Sequence, residues 1–347
     1  MTVLLTHERF MPDFGGGGEY IVLETAKHLK KQGVVVRVLT TGDPAITEYE
    51  GIPTQRLPIS RHRMNLAAGE IAEAAAASDV DLIQTFNYHA CLPSLLAGKL
   101  TGKPVVCVIL GLFQEAWNGM RGHWLGQMYA AMERVMVRRN FARIIFLSDY
   151  SREVGIRLGA RPELSLVNAP GIDPERFKPE PKDGCVLYSG KYDRRKGAWD
   201  VLEVARALPG VRFRMIGWGP EEAALRAAAT ANVEVRGLMT GEELDRMYAR
   251  ASVFLFPTRA ETFGITVAEA MAAGCAVVST IPLNYEGAVV RPGDIPAMTS
   301  AISHLLNDSE QIAAIGGRNR AKAASFTWER NVRLLLDTYK SVLGGTN

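Results

Sequence analysis

Residues 253–279 read VFLFPTRAETFGITVAEAMAAGCAVVS. Val253–Phe256 is apolar without alternation, which is how a strand buried on both faces is written. The chain turns polar over 257–261 and takes up a helical pattern over 266–273. It stops at Gly274 and returns to an apolar strand at Ala276–Ser279. Strand, helix and strand in so short a span make one βαβ unit with parallel strands.

The same alternation extends outward in both directions. Before it, 2–6, 34–40, 82–85, 105–110 and 143–148 read as buried strands, with helical stretches such as 20–32, 65–77 and 126–140 between them. Residues 168–184, NAPGIDPERFKPEPKDG, break the periodicity with a linker composition. Strands then resume at 185–189, 212–216 and 233–235, separated by helices at 198–207, 221–231 and 242–249, and the C-terminal part is helical over 296–306, 309–324 and 327–343. At roughly 100–200 residues per domain, 347 residues give two domains. The expected fold is α/β: two doubly wound, Rossmann-like domains facing across a cleft, with ligands at the carboxyl ends of the strands. The domains fall at 1–167 and 185–326, joined by the linker 168–184.

Composition excludes several classes. Forty Lys+Arg against 37 Asp+Glu leave +3, too little for a nucleic-acid binder driven by bulk charge. The four cysteines are scattered, with no C-x-x-C spacing for zinc, redox chemistry or a disulfide framework. MTVLLTHERF lacks a basic n-region and a long apolar h-region, and no apolar run approaches a membrane span of about 20 residues. The expected compartment is cytoplasmic.

Four motifs carry chemistry. GGGGE at 15–19 follows the first strand and opens a helix, where free N–H groups favour an anion; its plain alternative is a flexible turn. It is not a dinucleotide fingerprint, because Tyr20 stands three residues after Gly17. GKYDRRKG at 190–197 places Lys191 and Lys196 after a strand end, poised for a phosphate or simply solvated. GWGP at 217–220 is accounted for by a turn with Pro near a helix start. The fourth lies in the opening stretch. Glu261 stands in the strand-to-helix loop, and Phe263, Gly264 and Ile265 surround the helix start. Glu269 falls among small apolar neighbours, where a carboxylate needs a partner. Asp79-Val80-Asp81 has the spacing of a D-x-D metal motif but reads as the start of the 82–85 strand.

These motifs resemble the retaining glycosyltransferases of the GT-B fold, family four, over nearly the whole chain. GGGGE matches the family's glycine loop, NAPGIDPERFKP its interdomain stretch and GWGP its G-x-G-P. LYSGKYDRRKG matches its G-R-x-x-x-x-K-G, with Lys191 for the usual Arg. ETFGITVAEAMAAG matches its E-x₇-E signature, the most specific of the set. The resemblance implies transfer of a sugar from a UDP- or GDP-sugar to a carbohydrate, lipid-linked or small-molecule acceptor, without metal or other cofactor. Lys191 and Lys196 would neutralise the leaving diphosphate, and Gly16 and Gly17 would offer it N–H groups. Glu261 would hold sugar hydroxyls and Glu269 the ribose. Phe263, Gly264 and Ile265 would add N–H groups near the sugar and phosphate, and 237–241 would hold the base. Residues 327–347 would form a helix crossing back to the first domain, which would face the acceptor.

Two departures stand out. Leu110 occupies the place where many relatives end a strand with His, leaving His89, His123, Asn87 and Gln114 as candidates for that polar contact. The segment after Thr280 is shortened before the P-G-D at 292–294. They motivate two rivals, a catalytically silent nucleotide-sugar-binding partner and a nucleotide-sugar epimerase of the same fold. Aromatic and basic residues over 117–143 suggest peripheral contact with an anionic membrane, beside the plain reading of a solvated helix face.

Overall fold

A computed structural model describes residues 1–77 and 79–345. The chain divides into two compact units. The first holds Met1–Gln114, Met128–Gly171 and the chain from Trp328; the second holds Glu115–Gln127 and Ile172–Thr327.

The sheet of the first unit runs in the order Glu48–Tyr49, Ile52–Leu57, Val35–Thr41, Thr2–Thr6, Leu82–Phe86, Val105–Ile109, Arg143–Phe146, Ser165–Val167. Every pairing is parallel except the first. Thr2–Thr6, Leu82–Phe86 and Val105–Ile109 are buried at every position, as unalternating runs require. Ile52–Leu57 was not foreseen, because Pro53, Gln55 and Arg56 interrupt any apolar reading. Pro53 is tolerated opposite a two-residue edge strand. The Arg56 side chain is buried and donates to the carbonyls of Phe10, Met11 and Ile46. The helix Trp328–Gly344 packs in this unit against Gly17–Lys31, with the Trp328 ring stacked on His28 at 5.4 Å. Asn168 and Asn331 exchange side-chain-to-backbone bonds: Asn168 donates to the Asn331 carbonyl (2.9 Å) and Asn331 to that of Ala169 (2.8 Å).

The second unit has six parallel strands, ordered Val233–Arg236, Phe213–Trp218, Val186–Lys191, Val253–Phe256, Ala276–Ser279, Gly287–Val289. The connection 280–286 contains no helix. It is pinned by Asn319, which accepts from the Glu286 N–H (2.6 Å) and donates to the Glu286 carbonyl (2.9 Å).

The division differs from a boundary at 167. Glu115–Gln127 groups with the second unit because the helix Ala116–Arg121 packs on the turn Arg194–Lys196, and the 168–184 stretch is split after Gly171.

Candidate functional site

The second unit gathers its chemistry at the carboxyl ends of its central strands. Val186–Lys191 ends with the Lys191 ammonium 4.6 Å from the centre of the Trp218 ring, a cation–π contact. The chain then tightens into the turn Arg194–Lys196, where the Asp193 carboxylate accepts from the Lys196 N–H at 2.9 Å. Gly197 closes the turn with φ 71°, and a Cβ there would stand 2.1 Å from the Pro257 carbonyl oxygen, so glycine is required. That approach lays 194–197 against 257–261, held by Arg259 N–H to the Arg195 carbonyl (2.7 Å) and Arg195 to the Ala260 carbonyl (3.1 Å).

The consequence is an ion pair across 65 residues of sequence. Lys196 Nζ lies 2.5 Å from Glu261 Oε2, with the two side chains 14% and 16% exposed. The other Glu261 oxygen accepts from the Thr262 N–H at 2.9 Å. Burial alone would raise the Glu261 carboxyl; the Lys196 charge and hydrogen bond, with Arg195, overcome it and hold the group at about 2. Burial pulls Lys196 below its usual value while Glu261 resists.

Glu269 sits on the helix Ile265–Ala272, which starts at Gly264 in the left-handed region. In its first turn the Val267 N–H donates to the Gly264 carbonyl at 2.9 Å. Burial pushes the Glu269 carboxyl up to about 6, opposed by Arg176, whose Nη1 lies 3.5 Å from Oε1. Arg176 is fixed in turn by Asp245 at 2.6 Å. The buried Tyr248 hydroxyl, facing Glu269, is kept protonated by its burial and by the Glu269 charge.

In the first unit, Gly16 precedes the helix Gly17–Lys31, and a Cβ there would meet nothing within 4 Å. Its neighbours are walled in: a Cβ on Gly15 would reach 2.4 Å from Arg9, and one on Gly18 would reach 3.3 Å from Leu110. Leu110 therefore lies beside the glycine loop. Asn87 is committed to the strand end, accepting from the Leu110 N–H (2.6 Å) and donating to the Gly111 carbonyl (2.7 Å). His89 lies 3.1 Å from His62 and 2.9 Å from Asn65, and Gln114 donates to Glu133 at 2.6 Å. His123 is exposed in the second unit, its ring against Trp124. Asp79 pairs with Arg37 (2.5 Å) and Asp81 accepts from the Thr2 N–H (2.7 Å), so both tie onto the central strands Val35–Thr41 and Thr2–Thr6. Among the described residues no three His, Cys, Asp or Glu side chains cluster to hold a metal, and no helix is long and apolar enough to cross a membrane.

Lys191, Lys196, Glu261, Phe263, Gly264, Ile265 and Glu269 thus share the second unit, while Gly16 and Gly17 belong to the first. The sequence reading missed Arg176, Asp193 and Tyr248. The only signal for Arg176 was its place in NAPGIDPERFKP; its partners lie 69 and 93 residues away.

Residues 15–176 match the family model described as Glycosyltransferase Family 4, and 184–308 the one described as Glycosyl transferases group 1. A D-inositol 3-phosphate glycosyltransferase of Catenulispora acidiphila is 24% identical across 96% of this chain and 92% of its own. A sulfoquinovosyl transferase of Arabidopsis thaliana is 30% identical across 46% of this chain, a match spanning 36% of that protein. Among solved structures, a sucrose-phosphate synthase from Thermosynechococcus elongatus superposes with a TM-score of 0.84 at 20% identity, covering 99% of this chain and all of that one. Anabaena HepE in complex with UDP-glucose does so at 0.78 and 18% identity, covering 98% and 100%. The fold is that of the GT-B glycosyltransferases.

Proposed function

The chain joins a Glycosyltransferase Family 4 domain to a Glycosyl transferases group 1 domain and belongs to the glycosyltransferases so described, and from that premise we propose a retaining enzyme that moves a hexosyl group from a UDP- or GDP-sugar to a carbohydrate, lipid-linked or small-molecule acceptor. The observation that carries this reading is the buried Lys196–Glu261 pair, in the same unit as Lys191 and the Ile265–Ala272 helix. When the bond from the sugar to the diphosphate breaks, negative charge gathers on a phosphate oxygen. Lys196, Lys191 and the N–H groups of Phe263, Gly264 and Ile265 are held in advance to stabilise it. Glu261, fully ionised, accepts from donor-sugar hydroxyls, and Glu269 from the ribose. In the proposed reaction these groups supply the charge compensation that a metal or cofactor would otherwise bring. In the first unit, Gly16 offers open space for an anion and Gly17 a helix-start N–H. The complex of HepE with UDP-glucose favours a uridine donor.

The test is a transfer assay over a panel of nucleotide sugars and acceptors, with Lys196→Ala and Glu269→Ala beside the wild type. Sharp losses of turnover or donor affinity are expected; unchanged values in both variants would sink the assignment. The apolar Leu110 beside the glycine loop favours a second reading, a silent donor-binding partner. Any donor hydrolysis or transfer by the purified chain removes it. The reading also includes a cytoplasmic location with peripheral membrane contact through 117–143.

A further inference from the structure

Arg176 ends a short turn, Pro174–Arg176, whose start is capped by the Asp173 carboxylate accepting from the Glu175 N–H at 3.2 Å. The next residue, Phe177, is buried with its ring edge-on to Tyr248 at 5.6 Å, and the Arg176 guanidinium carbon lies 5.3 Å from the centre of the Phe177 ring. Turn and ring together aim the guanidinium at two carboxylates. Asp245 is gripped by the fork, with Nη2 to Oδ1 at 2.6 Å and Nε to Oδ2 at 3.4 Å. Glu269 Oε1 is held more loosely, by Nη1 at 3.5 Å. All of these residues belong to the second unit.

One cation between two carboxylates matters most to the one that is harder to charge. Burial opposes the ionisation of Glu269 and Asp245 repels it, while Arg176 is the strongest pull the other way. No other cation packed around the helix Ile265–Ala272 takes that part. Tyr248, from the helix Glu242–Arg250 that also carries Asp245, brings a hydroxyl and not a charge. Arg320, on Ser309–Ala323, is spent on the carbonyls of Ala272 and Ala273 at 3.1 and 3.3 Å, and Lys182 on that of Ala273 at 2.8 Å. The strands Val253–Phe256 and Ala276–Ser279 bring no titratable side chain.

We propose that Arg176 is a positioning residue for the nucleotide sugar: clamped by Asp245, its guanidinium keeps the Glu269 carboxylate charged and aimed for the ribose. This role rests on the ribose contact proposed for Glu269. The loose contact suits it, because it leaves lone pairs on Glu269 to accept from a hydroxyl. The tight grip on Asp245 keeps the guanidinium itself in place.

UDP-glucose affinity, measured calorimetrically on the full chain from pH 5 to 8, tests this. Wild type should lose affinity as pH falls through about 6. In Arg176→Gln that step should move up by about one pH unit or more, leaving affinity at pH 6 about fivefold below wild type. Asp245→Asn removes the repelling charge and should move the step down. Arg176→Lys keeps a cation without the planar fork, so its step should stay closer to the wild-type position while affinity at pH 8 falls. A purely structural role would instead lower affinity alike at every pH. The proposal is overturned by an Arg176→Gln step that stays at the wild-type position, or by an Asp245→Asn step that stays or rises. The second arm decides even where Arg176→Gln fails to fold. A wild-type affinity without any step, equalled by Glu269→Gln, removes the ribose contact and this proposal with it.

Discussion

Glu261 and Glu269 stand eight positions apart in one motif, yet their surroundings drive them in opposite directions. Glu261, held at about 2, contributes stability that is complete above about 4.5 and is lost as pH falls toward 2. Removing only its partner strands a buried carboxylate. Lys196→Ala should therefore cost about 3–5 kcal/mol in urea unfolding at pH 7, and Lys196→Met with Glu261→Gln distinctly less. Equal losses would show that the pair is not coupled. Glu269, raised to about 6, behaves in the reverse sense: its ionisation opposes folding progressively from about 4.5 to 6 and by a constant amount above. If it accepts from ribose hydroxyls as a carboxylate, affinity for UDP-glucose should fall as pH drops through about 6. Glu269→Gln should bind weakly at all pH and lose that step. UDP-glucose is the suitable probe because its phosphates stay ionised over this range, and a wild-type affinity flat from pH 5 to 8 would contradict the ribose role.

At the scale of elements, the glycines of the site-bearing strands and turns set how closely backbones can approach. A Cβ on Gly217 would stand 1.9 Å from the Gly190 carbonyl, between the paired strands Val186–Lys191 and Phe213–Trp218. Gly217→Ala is expected to push those strands apart at a cost of about 1–3 kcal/mol in urea unfolding. It should also weaken donor binding through Lys191, which pairs with Trp218 in the same ladder. A stable variant with normal affinity would show that the ladder yields elsewhere. The same contrast explains what the sequence disclosed. Val253–Phe256 and Thr2–Thr6 were legible because burial on both faces writes itself as an apolar run. Ile52–Leu57 was not, since its buried Arg56 is satisfied by carbonyls from 10, 11 and 46 that no local pattern announces. Lys196, Glu261 and Glu269 could be nominated from sequence because their motifs are local. Arg176 was missed because what makes it matter, Asp245 and Glu269, is brought to it only by folding.

For the molecule as a whole, a formal charge of +3 predicts little attraction to any polyanion, and adhesion must come from where charge and apolar surface coincide. One such place is the helix His123–Val137. Trp124 is 86% exposed, Leu125 52% and Met128 57%, and Val135 continues the same stripe at helical spacing. Arg121, Arg134, Arg138 and Arg139 are exposed around it. The proposed membrane contact would seat these apolar side chains at the headgroup boundary, with about 1 kcal/mol added per arginine near an anionic surface. The protein should float with phosphatidylserine-containing vesicles at low salt and sink with phosphatidylcholine alone. Binding should weaken as added salt shortens the Debye length below its physiological value of about 8 Å. Trp124→Ala should reduce flotation without moving the urea midpoint, because a side chain this exposed contributes little to the core. Flotation that ignores lipid charge, salt and Trp124 alike would locate any membrane contact elsewhere on the chain.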